Sequence, residues 1–143
     1  MVQYNPSSAS FIITWAALYV DTILTATPST TTPLQGELVT VSGKLTRQDT
    51  GAAISGATVE LWHGDHMTGT LLTSDITDAG GNYSIGWTSQ FEGPVAYECY
   101  FSGMTAPGLT YSPSSGGFAT TAAMSPLLIV GLLAAAALLM SRK

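Results

Sequence analysis

Glu37 to Thr46 reads ELVTVSGKLT, and the alternation inside this stretch decides the fold class. Val39, Val41 and Leu45 fall on one side of an extended chain with Gly43 between them, and Thr40, Ser42 and Lys44 fall on the other. That is the period-two signature of a half-buried strand. The pattern recurs downstream. Ala57 to Trp62 (ATVELW) turns Ala57, Val59 and Leu61 inward and Thr58, Glu60 and Trp62 outward. Tyr83, Ile85 and Trp87 alternate, and Pro94 to Phe101 sets Val95, Tyr97, Cys99 and Phe101 against an outward Glu98 and Tyr100. Weaker strands are expected over Asp21 to Thr27, over Leu71 to Ile76 and within Gly116 to Thr121, the last approached by a loop at Pro113 to Gly117. Turn chemistry separates them at Pro28 to Gly36, at Asp49-Thr50-Gly51 and at Asp78-Ala79-Gly80-Gly81-Asn82, where consecutive glycines suit a hairpin. No helical period competes in this region, so a sandwich or barrel is expected.

Composition narrows the class further. The chain has 143 residues, room for one domain of about a hundred residues plus tails. Charged residues make up 9% of it, against about 25% in an average soluble domain. The formal net charge is −5 and the first cationic side chain is Lys44. No basic patch exists to neutralise a phosphate backbone, which excludes nucleic acid as a partner. Cys99 is the single cysteine, so an internal disulfide and the paired-cysteine metal motifs are ruled out. No cofactor is expected.

Two flanking segments stand apart from the alternating region. Pro126 to Met140 reads PLLIVGLLAAAALLM. Ser125 is a good N-cap and Pro126 suits a first helical turn, so Pro126, Leu127, Leu128, Ile129, Val130, Leu132, Leu133, Leu138, Leu139 and Met140 are expected on one apolar helix. As a helix this run is about 22 Å long, short of a hydrocarbon core of about 30 Å. A start nearer Phe118, or local thinning of the bilayer with Arg142 and Lys143 reaching the headgroups, makes up the difference. The basic tail fits the positive-inside rule, giving a single-pass cell-membrane protein with its C-terminus cytoplasmic and its domain extracellular. The alternatives are a buried core helix in a soluble fold and a helix packed in an assembly. At the other end, Phe11 to Val20 (FIITWAALYV) is preceded by no Lys or Arg and makes a poor secretory signal. Its β-branched and aromatic content favours a strand. The expected organisation is therefore residues 1–20 as an edge or donor strand, 21–121 as the sandwich, and 122–143 as the transmembrane helix with its basic tail.

The phrase Thr50 to Leu61 (TGAAISGATVEL), followed by Thr77 to Ile85 (TDAGGNYSI), resembles the immunoglobulin-like and carboxypeptidase-regulatory-like domains of prokaryotic, in particular archaeal, cell-surface proteins. Val39 to Thr46, Phe101-Ser102-Gly103 and Tyr111 to Ser114 look like further strands of the same family, extending the resemblance over about Asp21 to Ser115. The resemblance implies an all-β, immunoglobulin-like antiparallel β-sandwich of about seven strands. It also implies a spacer, adhesive or structural role near a C-terminal membrane anchor, and no chemistry.

Candidate sites are few. His63, Asp65 and His66 form the only metal-like cluster, although a polar glycine-containing turn is the simpler account. Asp75, Asp78 and Asn82 superficially resemble a calcium loop, but lack EF-hand spacing and suit a turn. Lys44 and Glu98 are the only mid-strand groups for an internal isopeptide bond, and alternation points both away from the core. No nucleophile elbow or paired carboxylate appears, so catalysis is not expected. Asn82-Tyr83-Ser84 is a glycosylation sequon. Trp62 and Tyr100, outward together, suit stacking on a glycan or packing against another surface protein. The main alternative is a self-assembling surface layer or filament. There Ser10 to Val20, through Phe11, Ile13 and Trp15, adds as a strand to the next subunit, and the C-terminal helix packs between subunits.

Overall fold

In the computed structural model, residues 18–90 and 93–124 are described. The expected membrane helix, with Pro126 to Met140, Arg142 and Lys143, lies outside the described residues, as do Phe11, Ile13 and Trp15. Among the described residues there are eleven strands and no helix, and hence none long and apolar enough to cross a membrane.

The strands are β1 (Leu18–Val20), β2 (Thr22–Leu24), β3 (Thr27–Pro28), β4 (Leu38–Arg47), β5 (Thr58–His63), β6 (Thr70–Ile76), β7 (Asn82–Thr88), β8 (Gly93–Phe101), β9 (Met104–Ala106), β10 (Leu109–Tyr111) and β11 (Ser114–Ala122). One antiparallel sheet has the order β11-β8-β5-β6; in the other, β4 pairs with β7 on one side and with β2 and β3 on the other. Their inward side chains share one core. Val39, Val41 and Leu45 from β4 and Tyr83, Ile85 and Trp87 from β7 meet Val59 and Leu61 from β5 and Tyr97, Cys99 and Phe101 from β8. The architecture is all-β with multiple antiparallel sheets and is compatible with a β-sandwich.

Gly43 interrupts the apolar side of β4 for a visible reason. The Tyr83 hydroxyl donates to the carbonyl oxygen of Thr25 across the space where a Gly43 side chain would stand. A Cβ there would lie 1.8 Å from that oxygen. With its carbonyl turned inward, Thr25 uses its side-chain Oγ1 to accept from the Lys44 N–H at 2.9 Å. This is why Asp21 to Thr27 forms two short strands, β2 and β3, rather than the single one expected.

Two other expectations are corrected, and one hairpin is added to them. The Asp78 to Asn82 turn does not close a hairpin: β6 belongs to one sheet and β7 to the other, so the chain changes sheet there, and only Gly81 of the two glycines has positive φ, at 74°. Ser114 to Gly117 is no approach loop but the first half of β11, in register with Phe101 to Glu98. Its small residues suit a close crossing, since a Cβ on Gly116 would stand 2.9 Å from the Leu24 carbonyl oxygen. Finally, Met104 to Tyr111 contains a hairpin, β9–β10, whose second strand pairs in parallel with β1.

Candidate functional site

The outer face of β5 and β8 carries the side chains that alternation turned away from the core. Trp62 is paired with Glu98, and Glu60 with Tyr100, which makes a half-buried patch of two aromatics and two acids. The Trp62 indole N–H donates to Glu60 Oε2 at 3.0 Å, tying the ring to the acid two residues earlier on its own strand.

The loop after His63 folds onto this patch. Asp65 shapes it: one carboxylate oxygen accepts from the Met67 N–H at 2.8 Å and the Thr68 N–H at 2.7 Å, and the other from the Thr68 hydroxyl at 2.9 Å. The bonds from Thr68, through backbone and hydroxyl, and then from Met67 hold the Asp65 carboxyl below its ordinary range. The resulting turn lays His66 on the sheet. Glu98 Oε2 accepts from the His66 backbone N–H at 2.7 Å and lies 3.0 Å from His66 Nδ1. The imidazole stacks on Tyr100 with ring centres 3.7 Å apart and planes 5° from parallel. Partial burial works to raise the Glu98 carboxyl, but the bonds from the His66 ring and backbone, with one from Ser115, outweigh it and hold Glu98 below its ordinary range.

His63, Asp65 and His66 are therefore near in sequence but differently engaged. His63 packs edge-on against Tyr97 with ring centres 5.8 Å apart, Asp65 accepts from its own turn, and His66 is latched to Glu98. Among the described residues no group of three or more His, Cys, Asp or Glu could hold a metal ion. Asp75 and Asp78 likewise serve the backbone. Asp75 Oδ2 accepts from the Ser84 N–H at 2.9 Å, and Asp78 Oδ1 from the N–H groups of Gly80 and Asn82. Lys44 and Glu98 sit on different sheets, each between core positions of its own strand, so they face opposite ways. Cys99 is fully buried, and burial pushes its thiol up to about 11. Asn82 is exposed, although its side-chain amide leans on Asp78 at 3.2 Å.

Trp62 and Tyr100 do come together on one outer face, as their alternation indicates, but one face of Tyr100 is taken by His66. The Glu98–His66 latch joins residues 32 apart in sequence, and no local pattern marks it. What remains is a patch with Trp62 at its centre and carboxylates beside it. Such a surface can stack on a sugar ring or receive hydrogen-bond donors from a partner, and it offers no activated nucleophile. No protein-family model matches the chain, and no curated protein matches it.

Proposed function

We propose that this chain is a non-catalytic cell-surface protein in which an immunoglobulin-like sandwich serves as an anchored structural or adhesive module. The apolar run Pro126 to Met140 acts as a single membrane span, with the domain outside and Arg142 and Lys143 inside. One observation chiefly supports this reading. β11 stays in register with β8 as far as Ala122, and Ala123 then bridges to Leu34, so ordered sheet structure continues to within three residues of Pro126. Such a short connection would seat the domain on its anchor. Connections that change sheet, as at Asp78 to Asn82, support the immunoglobulin-like assignment, and the Trp62 patch supports contact with glycans or other surface proteins. Asn82, exposed at a turn, suits glycosylation. The net charge of −5 argues against nucleic acid.

The test is carbonate extraction of cells expressing the full chain with an export signal. Retention in the membrane pellet is expected, and release into the soluble fraction would refute the anchor.

A second reading, subunit assembly, draws on the edge strand β6, where Leu71 and Ile76 are exposed. An open apolar edge accepts an added strand, and residues 10–17 of a neighbouring subunit, with Phe11, Ile13 and Trp15, are the proposed donor. In this chain Leu18–Val20 already pairs with β10. Truncating residues 1–17 should abolish self-association and leave the domain folded; unchanged association would refute it.

A further inference from the structure

We infer that the end of the domain from which the C-terminal run departs is a lipid-contacting surface, seated in the headgroup region of the membrane. This rests on the anchor reading above and adds how the domain sits on the bilayer. The strand registers define the end. β4 begins there with Leu38 opposite Thr88, β8 begins with Gly93 opposite Ala122, and β5 finishes at His63 opposite Thr70. The 30–37 loop is tied to the same end by Gly36 N–H to the Ser89 carbonyl and by Gln35 N–H to the Ala123 carbonyl.

Exposed apolar side chains stand around this end on both sheets: Leu34 of the 30–37 loop is 41% exposed and Leu38 of β4 68%, and on the other sheet Met67 of the 64–69 loop is 83% and Leu71 of β6 48%. The described cations, Lys44 and Arg47, lie at the far end of β4. The described acids near this rim bond to the backbone: Glu37 Oε2 accepts from the Leu34 N–H at 2.7 Å, and Asp65 caps its own turn. The rim thus carries exposed apolar side chains among polar ones, with its described carboxylates bonded to backbone N–H groups, a combination suited to the headgroup region. Chain length identifies the occupant. From Ala123, paired to Leu34, to Pro126 is three residues, which reach at most about 11 Å. If that run enters a bilayer at Pro126, Ala123 can stand no further than this from its entry point, and Leu34 about 5 Å beyond it, one strand spacing away.

The test uses full chain carrying Leu34→Cys, Leu38→Cys or Met67→Cys, each labelled with an environment-sensitive fluorophore. The chain is placed in phosphatidylcholine vesicles brominated near the acyl carbonyl, with Thr50→Cys as the control at the opposite end. Native Cys99 is fully buried, and unsubstituted protein provides the labelling blank. The expected result is vesicle flotation with blue-shifted, bromine-quenched emission at 34, 38 and 67 and neither change at 50. Flotation without quenching would overturn the seated surface and leave the anchor intact. Absence of flotation would overturn both. A blue shift at 34, 38 and 67 in detergent without lipid, dependent on protein concentration, would assign the rim to a second copy; the same shift independent of concentration would assign it to the chain's own apolar run. Either would overturn lipid contact.

Discussion

Adding one methyl group at Gly43 should be among the most damaging small changes in this protein. In Gly43→Ala the new carbon stands 1.8 Å from the Thr25 carbonyl oxygen and 2.8 Å from the Tyr83 ring. Neither neighbour can give way cheaply. Tyr83 is 3% exposed in the core, and Thr25 is held to β4 through its N–H to the Lys44 carbonyl at 3.0 Å. Relief requires Thr25 to lift by about 1.5 Å, which breaks the Tyr83 hydroxyl bond and the Thr25–Lys44 pair. Two hydrogen bonds at about 1 kcal/mol each and overpacking at about 1–3 kcal/mol give a cost of roughly 3–5 kcal/mol. At the lower figure, the melting temperature of a domain this size falls by about 12–24 °C. Gly86→Ala is the matched control. It lies on β7, opposite Thr40 of β4, with its nearest neighbour, Leu38 Cδ1, at an ordinary 3.6 Å. Losing a strand glycine there should be neutral or stabilising by up to about 1 kcal/mol. Urea unfolding of both variants in mild detergent measures the contrast. A Gly43→Ala protein within about 1 kcal/mol of the parent would refute the inward turn of the Thr25 carbonyl against Gly43.

Thr77→Val should cost about 2–3 kcal/mol at nearly constant volume, measured by urea unfolding. The buried Thr77 hydroxyl donates to the Ile54 carbonyl at 2.7 Å and accepts from the Ala57 N–H at 2.9 Å, and valine leaves both unpaired. Glu98→Ala should free the 64–69 loop, seen as lost hydrogen-exchange protection at the His66 amide while the core strands stay protected. In the parent the carboxyl is held below its unfolded value, so the latch is fully present above about pH 4.3. It is lost as pH falls through the lower folded value. Protection at His66 that does not change on acidification would contradict the latch.

Elements built on local alternation were legible in the sequence. Val39, Val41 and Leu45 on β4 and Tyr83, Ile85 and Trp87 on β7 are buried where their spacing puts them, because each strand has one core side and one outer side. Features that depend on distant partners were not. β6 read weakly because a register shift opposite Leu61 and Trp62 leaves both Leu71 and Leu72 partly in solvent. β9 and β10 are three residues each, too short for a period to show. The Asp78 to Asn82 turn has hairpin chemistry, and only tertiary pairing reveals that it changes sheet. At the candidate site, alternation alone turns Trp62 and Tyr100 outward, the pairing of β5 with β8 puts them on one face, and the stacking of His66 on Tyr100 arises from a loop conformation set by Asp65.

The central claim, an external domain held by a C-terminal span, is tested most directly by protease treatment of intact cells expressing the full chain with an export signal and an epitope after Lys143. The account predicts that the domain is shaved from outside while the epitope stays protected in a membrane-bound fragment. Cleavage of the epitope from outside, or its recovery with the whole domain in soluble particles or filaments, would contradict it.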